Sequence, residues 1–237
     1  MNTTPRLLSF LSATLLSLAA FAQTNGDLAL NHNRLLREKT GEGVYKQIGN
    51  YRVVGSPYLF GEKNKGNLFS SEAKAYNIFL SYNTYNQEVE FYSTGNPDKP
   101  LIKEPGDADS FIIQPNLEIG LLTPLKFVYG SVIGSSEKAY YQELFAGHRF
   151  SIYKKYKSDL GIVSSNYIQS ELRQFDLSFD YYYYDSEKKA MKKIKANNSN
   201  VIKEFKGVKD LYGIVTNDAF STSPDDAFRK IFAYLNQ

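Results

Sequence analysis

FDLSFDYYYY, Phe175 to Tyr184, alternates with a period of two. Phe175, Leu177, Phe179, Tyr181 and Tyr183 fall on one face, and Asp176, Ser178 and Asp180 on the other, as an extended strand requires. The pattern predicts one packed face and one wet face. Alternation also sends Tyr182 and Tyr184 to the face opposite Phe179, Tyr181 and Tyr183, where they are expected either exposed or covered by helices.

Working outward, eight more runs rich in Tyr, Phe, Val and Ile lie between clusters of Gly, Asn, Pro and Ser. They are Tyr51 to Val54, Asn67 to Ser70, Ala75 to Tyr82, Glu88 to Ser93, Ser110 to Gln114, Phe127 to Ile133, Tyr140 to Phe145 and Phe150 to Tyr156. Turn-forming residues at Asn83 to Gln87 and Ala146 to Arg149 predict two hairpins, and Ser186 to Lys189 a third with Ala190 to Ile194 returning. Pro97, Pro100, Pro105 and Pro115 cannot sit inside central strands, so that region is expected to be a long connection or a sheet edge.

After Asn197 the apolar spacing becomes three and four: Val201, Ile202 and Phe205, then Val208, Leu211, Tyr212 and Val215, interrupted by Gly207 and Gly213. A last helix is marked by Ser223 as N-cap, Pro224 at its first position and acids at Asp225 and Asp226, with Ala227, Phe228, Ile231, Tyr234 and Leu235 as its buried stripe. The expected fold is mostly β (α+β): antiparallel sheets as a sandwich or partly open barrel, with short C-terminal helices packed on the sheet. The expected divisions are a polar lead-in over 23–49, a β domain over 50–196 and a helical segment over 197–237.

The first residues set the expected compartment. Arg6 precedes an apolar stretch from Leu7 to Ala19, and Ala20, Phe21 and Ala22 make the small-x-small pattern of a signal-peptidase site. Met1 to Ala22 thus reads as a cleaved signal peptide. The expected product starts at Gln23, is periplasmic or extracellular, and is soluble or peripheral at the outer membrane. A transmembrane helix would need about 20 predominantly apolar residues, more than this stretch supplies, and no later window supplies them. A transmembrane barrel is disfavoured by the helical C-terminus and by strands mostly shorter than the roughly 9 to 11 residues a bilayer demands.

Composition excludes several chemistries. There is no cysteine, which removes disulfides, thiolate ligands, a thiol nucleophile and a lipidated cysteine. The histidines are His32 and His148 alone, too few for the usual catalytic zinc site. A net charge of +3 gives no argument for nucleic acid. Charge is uneven, however: Tyr85 to Glu118 is acidic, and Asp185 to Asp210 carries eight lysines against four acids. That basic run reads as a solvated face or, more sharply, as a patch for an anionic envelope polymer.

No catalytic constellation emerges. Gly130, Ser131 and Gly134 miss the nucleophile-elbow spacing, and His148 is the sole plausible base. Glu88 and Glu90 share a strand face and would suit an acid/base pair, although alternating acids on a wet face explain them equally. Asp107 and Asp109 lack the further ligands of a calcium loop. No cofactor is expected. The unusual feature is 19 Tyr with no Trp, a composition that suits either cross-strand packing or contact with sugars and proteins.

Gly55, Ser56, Pro57, Tyr58 and Leu59, then Lys65, Gly66, Tyr82, Asn83, Tyr85, Glu88, Glu90 and Phe91, form a loose pattern along the chain. With Lys154 to Tyr156, the tyrosine strand and the closing Tyr234, Leu235 and Asn236, it resembles a group of secreted β-rich proteins of Bacteroidota that carries no assigned function. The resemblance implies export and a β-rich fold, and transfers no catalytic residue. The expected role is a non-enzymatic module that binds an envelope protein or assembles with it. The alternative is a glycan or small-ligand binder using Tyr182, Tyr184, Lys188, Lys189 and Lys192. A hydrolase of unrecognised type ranks below both.

Overall fold

A computed structural model describes residues 37–39, 45–47, 52–93, 95–162 and 172–237. The expected signal peptide over 1–22, His32 and most of the lead-in lie outside the described residues. The chain forms two compact units, Met1–Gly55 with Gly161–Phe175, and Ser56–Leu160 with Asp176–Gln237.

In the first unit β1 (Arg37–Lys39) pairs antiparallel with β2 (Tyr45–Gln47). β3 (Arg52–Val54) pairs with the opening residues of β12 (Leu172–Asp185), Arg52 facing Leu172 and Val54 facing Gln174. That pairing is parallel, a departure from the all-antiparallel expectation. Periodicity cannot reveal direction, because a side chain alternates identically in either kind of ladder.

The second unit is one large open sheet with helices. Its strands are β4 (Tyr58–Phe69), β5 (Lys74–Asn83), β6 (Glu88–Ser93), β7 (Asn96–Lys103), β8 (Ser110–Ile113), β9 (Leu125–Tyr129), β10 (Tyr140–Phe145), β11 (Phe150–Ile162), the later part of β12, and β13 (Ala190–Ile194). Their order is β13-β12-β11-β10-β9-β8-β4-β5-β6-β7. The mostly β class with short C-terminal helices is thus as expected. All three expected hairpins form; Pro97 and Pro100 fall in β7, the outermost strand, where an edge tolerates a missing N–H, and Pro105 and Pro115 lie in the connections on either side of β8.

The sheet curls. Tyr82 on β5 and Phe127 on β9 have ring centroids 5.4 Å apart, yet β4 and β8 run between their strands. In a flat sheet three strand steps would separate them by about 14 Å. The β5–β6 turn reaches across the curl: Ser158 N–H donates to the Thr84 carbonyl at 3.2 Å, and Gln87 Nε2 to the Tyr156 carbonyl at 3.0 Å. Inside, Tyr82, Phe111, Phe127 and Tyr140 are fully buried, and the Phe111 and Phe127 rings stack at 4.7 Å.

The same inner face continues along β11. Tyr156 joins the aromatic core within the curl, whereas Ile152 and Phe150 join a second core made with Tyr181, Tyr183 and the helices. These are α1 (Asn198–Phe205), α2 (Asn217–Thr222) and α3 (Pro224–Leu235), with Ser223 Oγ capping α3 at Asp226 N–H as its sequence predicts. The spacing at Val208 to Val215 does not make a helix. Gly213 takes a φ of 82° there, and the segment folds as turns that bury Leu211 and Val215 and leave Tyr212 exposed.

The packed face expected for the tyrosine strand holds at Phe175, Tyr181 and Tyr183 and fails between them. Tyr181 and Tyr183 are buried beneath the helices, but Leu177 and Phe179 are exposed. The reason is the reach of α3, whose first turn places Asp225 on Tyr181, one alternation short of Phe179.

Candidate functional site

Tyr182 and Tyr184 lie on the outer face, away from the helices, and are half-buried. They join Tyr141, Tyr153 and Met191 in a cluster, with the Tyr182 ring edge-on to Tyr141 at 5.5 Å. The segment after β9 folds over this cluster: Ser135 Oγ lies 2.9 Å from the Tyr141 hydroxyl, and Gly134 packs against the Tyr184 ring. Burial pushes the Tyr141 and Tyr153 phenols up to about 12. Phenols held so far above neutrality serve as packing and hydrogen-bond donors rather than as bases.

The lysines named with these tyrosines do not converge on them. Lys188 and Lys189 occupy the β12–β13 turn, with Lys188 Nζ 3.5 Å from Asp185. Lys192 sits opposite Tyr183, on the helix side, where its Nζ meets Glu204 of α1 at 3.3 Å. The lysine across from Tyr182 is Lys193, whose Nζ pairs with Asp180 at 2.7 Å, and Lys155 places its Nζ 5.3 Å from the Tyr182 ring centre. Strand parity, which depends on the hairpin register, separates the five residues.

The acid and base positions also part. Glu90 is buried and accepts a 2.7 Å hydrogen bond from the Tyr58 hydroxyl, while Glu88 is half-buried next to Asn86. His148 is exposed in the β10–β11 turn, on a different part of the sheet.

A different surface has the form of a binding site. Along β4, β5 and β6 lies an open groove of about 570 Å³, lined by Lys63, Tyr76, Phe79 and Tyr92 of the outer face and by Ala75, Ile78 and Phe91, which pack against the inner core. Phe79 stands opposite Tyr92 across the ladder, and Lys63 Nζ lies 5.0 Å from the centre of the Tyr92 ring. Tyr76 rests edge-on against Phe69 at 5.7 Å. Tyr76 and Phe79 remain 59% and 45% exposed although both are large and aromatic.

A bulge explains why the sequence concealed this. Strict alternation through β5 would place Tyr76 with Ile78, Leu80 and Tyr82 on the inner face. Asn77 instead takes a φ of 52° at an irregularity of the β4–β5 register, and its N–H donates to Asn67 Oδ1 at 3.0 Å. That extra residue turns Tyr76 outward to join Phe79. The one available signal was an Asn within an aromatic strand, a residue tolerant of positive φ.

Exposed rings with one ammonium group offer dispersion, ring stacking and a cationic contact, the means of recognition rather than of bond breaking. Among the described residues no helix is long and apolar enough to cross a membrane. No protein-family model matches the chain, and no curated protein or solved structure matches it either.

Proposed function

We propose that the protein is an exported, non-enzymatic binding module that holds a protein partner of the cell envelope in the groove on β5 and β6. The observation carrying this reading is the outward pairing of Tyr76 and Phe79, two large aromatics exposed on the face turned from the core. Aromatic side chains supply contact area at small conformational cost and are enriched at protein interfaces. Export rests on the Met1 to Ala22 leader pattern.

A glycan ligand is the second reading, favoured by Lys63 in the same groove as the exposed Tyr76 and Phe79 rings, since sugars stack on aromatic faces and an ammonium group answers an anionic one. The deciding experiment is crosslinking in the intact envelope with the wild-type chain and with a Tyr76→Ser/Phe79→Ser variant. One partner protein is expected with the wild type and absent with the variant, while thermal stability stays within about 1 kcal/mol because both positions are surface. Equal recovery with both chains overturns the groove. A polysaccharide in place of a protein transfers the site to the second reading.

A further inference from the structure

β13 covers only part of the edge of β12. It pairs with Tyr181 to Asp185 and ends at Ile194 opposite Tyr181. Beyond that point, among the described residues, no strand of this unit pairs with Leu177 to Asp180 on that side, while β11 runs along the other. Leu177 and Phe179 are 52% and 49% exposed on the helix side of this edge. The sheet's other edges carry the residues that discourage pairing: Pro97 and Pro100 in β7, Lys192 and Lys193 in β13. Leu177 to Asp180 contains neither a proline nor a lysine.

We infer that Leu177 to Asp180 is a strand-addition site, which takes an extended segment of a partner protein carrying aliphatic residues on one face and lysine or arginine on the other. Main-chain hydrogen bonds supply affinity in this mode, and alternate side chains supply selectivity. β13 already displays the chemistry the edge accepts. Ile194 lies beside Tyr181 on the helix side, and Lys193, on the other side, reaches Asp180 at 2.7 Å. A segment continuing that line would set aliphatic side chains against Phe179 and Leu177 and a basic one on the Asp180 side.

A second copy of the chain fits poorly. The antiparallel register that pairs Leu177 with Phe179 also sets Asp176 opposite Asp180, and like charges directly opposed destabilise a ladder. The site lies on a different strand from the Tyr76–Phe79 groove, so each reading stands or falls alone.

Hydrogen exchange on the full chain, read by mass spectrometry, tests this with a synthetic hexapeptide of alternating lysine and valine. The outward amides of residues 177–180 are expected to exchange freely in the protein alone and to slow by roughly tenfold with the peptide. A glutamate–valine hexapeptide is expected to give no protection, and Leu177→Glu to abolish the effect without moving the melting temperature. The Tyr76→Ser/Phe79→Ser variant should still protect. Slow exchange without peptide, no protection with it, or equal protection by the glutamate peptide overturns the site.

Discussion

Asn236 holds Phe150 by both of its backbone polar groups. Its Oδ1 accepts from the Phe150 N–H at 3.1 Å, and its Nδ2 donates to the Phe150 carbonyl at 2.9 Å. The side-chain amide therefore pairs as a neighbouring strand residue would. Oδ1 also accepts from Arg149 N–H, and Nδ2 donates to the Phe232 carbonyl, so the end of α3 is fastened to the start of β11. Gly147 leaves the space for this, since a Cβ there would stand 2.4 Å from the Asn236 amide.

Asn236→Ala removes four hydrogen bonds at a part-buried site and is expected to cost about 2 to 3 kcal/mol in urea unfolding, given about 1 kcal/mol for each bond less what water restores. Gly147→Ala displaces the same amide and should destabilise similarly. Because both act on one contact, the double variant should lose clearly less than the sum. Full additivity would contradict a shared contact.

Lys154 occupies the junction of the two inner cores. Its Nζ lies 3.1 and 3.0 Å from the two Asp225 oxygens and 4.1 Å from the centre of the Phe179 ring, with Tyr156 and Tyr181 beyond. The Tyr181 hydroxyl donates to Asp225 Oδ1 at 2.5 Å. The two charged side chains are only 10% and 25% exposed, so water does little to screen them. Lys154→Met should therefore cost about 3 kcal/mol by stranding Asp225, and Lys154→Met/Asp225→Leu should recover more than half of it, because the desolvation cost of both charges disappears. A double-mutant cycle by urea denaturation measures this, and a double variant as unstable as the single one would refute it.

Gly66 in β4 tests the tightness of the curl. A Cβ at this position would lie 2.3 Å from the Ile112 carbonyl oxygen of β8 and 2.5 Å from Leu80 Cδ2 of β5. The first of these is backbone and cannot swing aside. Gly66→Ala is expected to destabilise by about 3 kcal/mol or more, in the range of strained core substitutions. Gly61→Ala makes the contrast, since nothing lies within 4 Å of a Cβ there and only its φ of 81° opposes the change, at about 1 kcal/mol. Thermal melting of the two variants orders them.

Strands that alternate without interruption were legible: β6 and β10 run between the residues their patterns mark, and so does β13. β4 was legible only at its end, because Phe60, Gly61 and Lys63 all take positive φ and break the alternation from Tyr58 onward. Ser223, Pro224 and the two following acids announced α3 through local chemistry alone. The groove was not legible, because it depends on one bulge at Asn77 and on a curl produced by strands far apart in sequence. Nor could alternation say that helical cover on the tyrosine strand ends at Tyr181 and leaves Phe179 and Leu177 exposed. That limit comes from where α3 begins, a tertiary fact.

The Tyr183–Glu204 hydrogen bond carries opposite pH signatures on its two partners. Burial, and after it the bond to Glu204, raises the Tyr183 phenol, while the same bond lowers the Glu204 carboxyl. Burial likewise raises Tyr82, Tyr140 and Tyr156. In the unfolded chain a phenol loses its proton near about pH 10, whereas these folded ones keep theirs, so above that pH the folded state binds more protons. Stability from the tyrosines is therefore complete below about pH 10 and is lost as pH rises from there through the folded values. Glu204 acts in the other direction: its contribution is present above the ordinary carboxylate range and is lost as pH falls through it. Urea unfolding across the pH range should show both declines, with phenolate absorbance of the native protein lagging that of the unfolded chain on the alkaline side. Tyr183→Phe should flatten the alkaline decline by about one proton and shrink the acid one, since it removes the phenol and frees Glu204 together. An unchanged acid limb in that variant would show that Lys192, 3.3 Å from Glu204, holds the carboxylate down without the tyrosine.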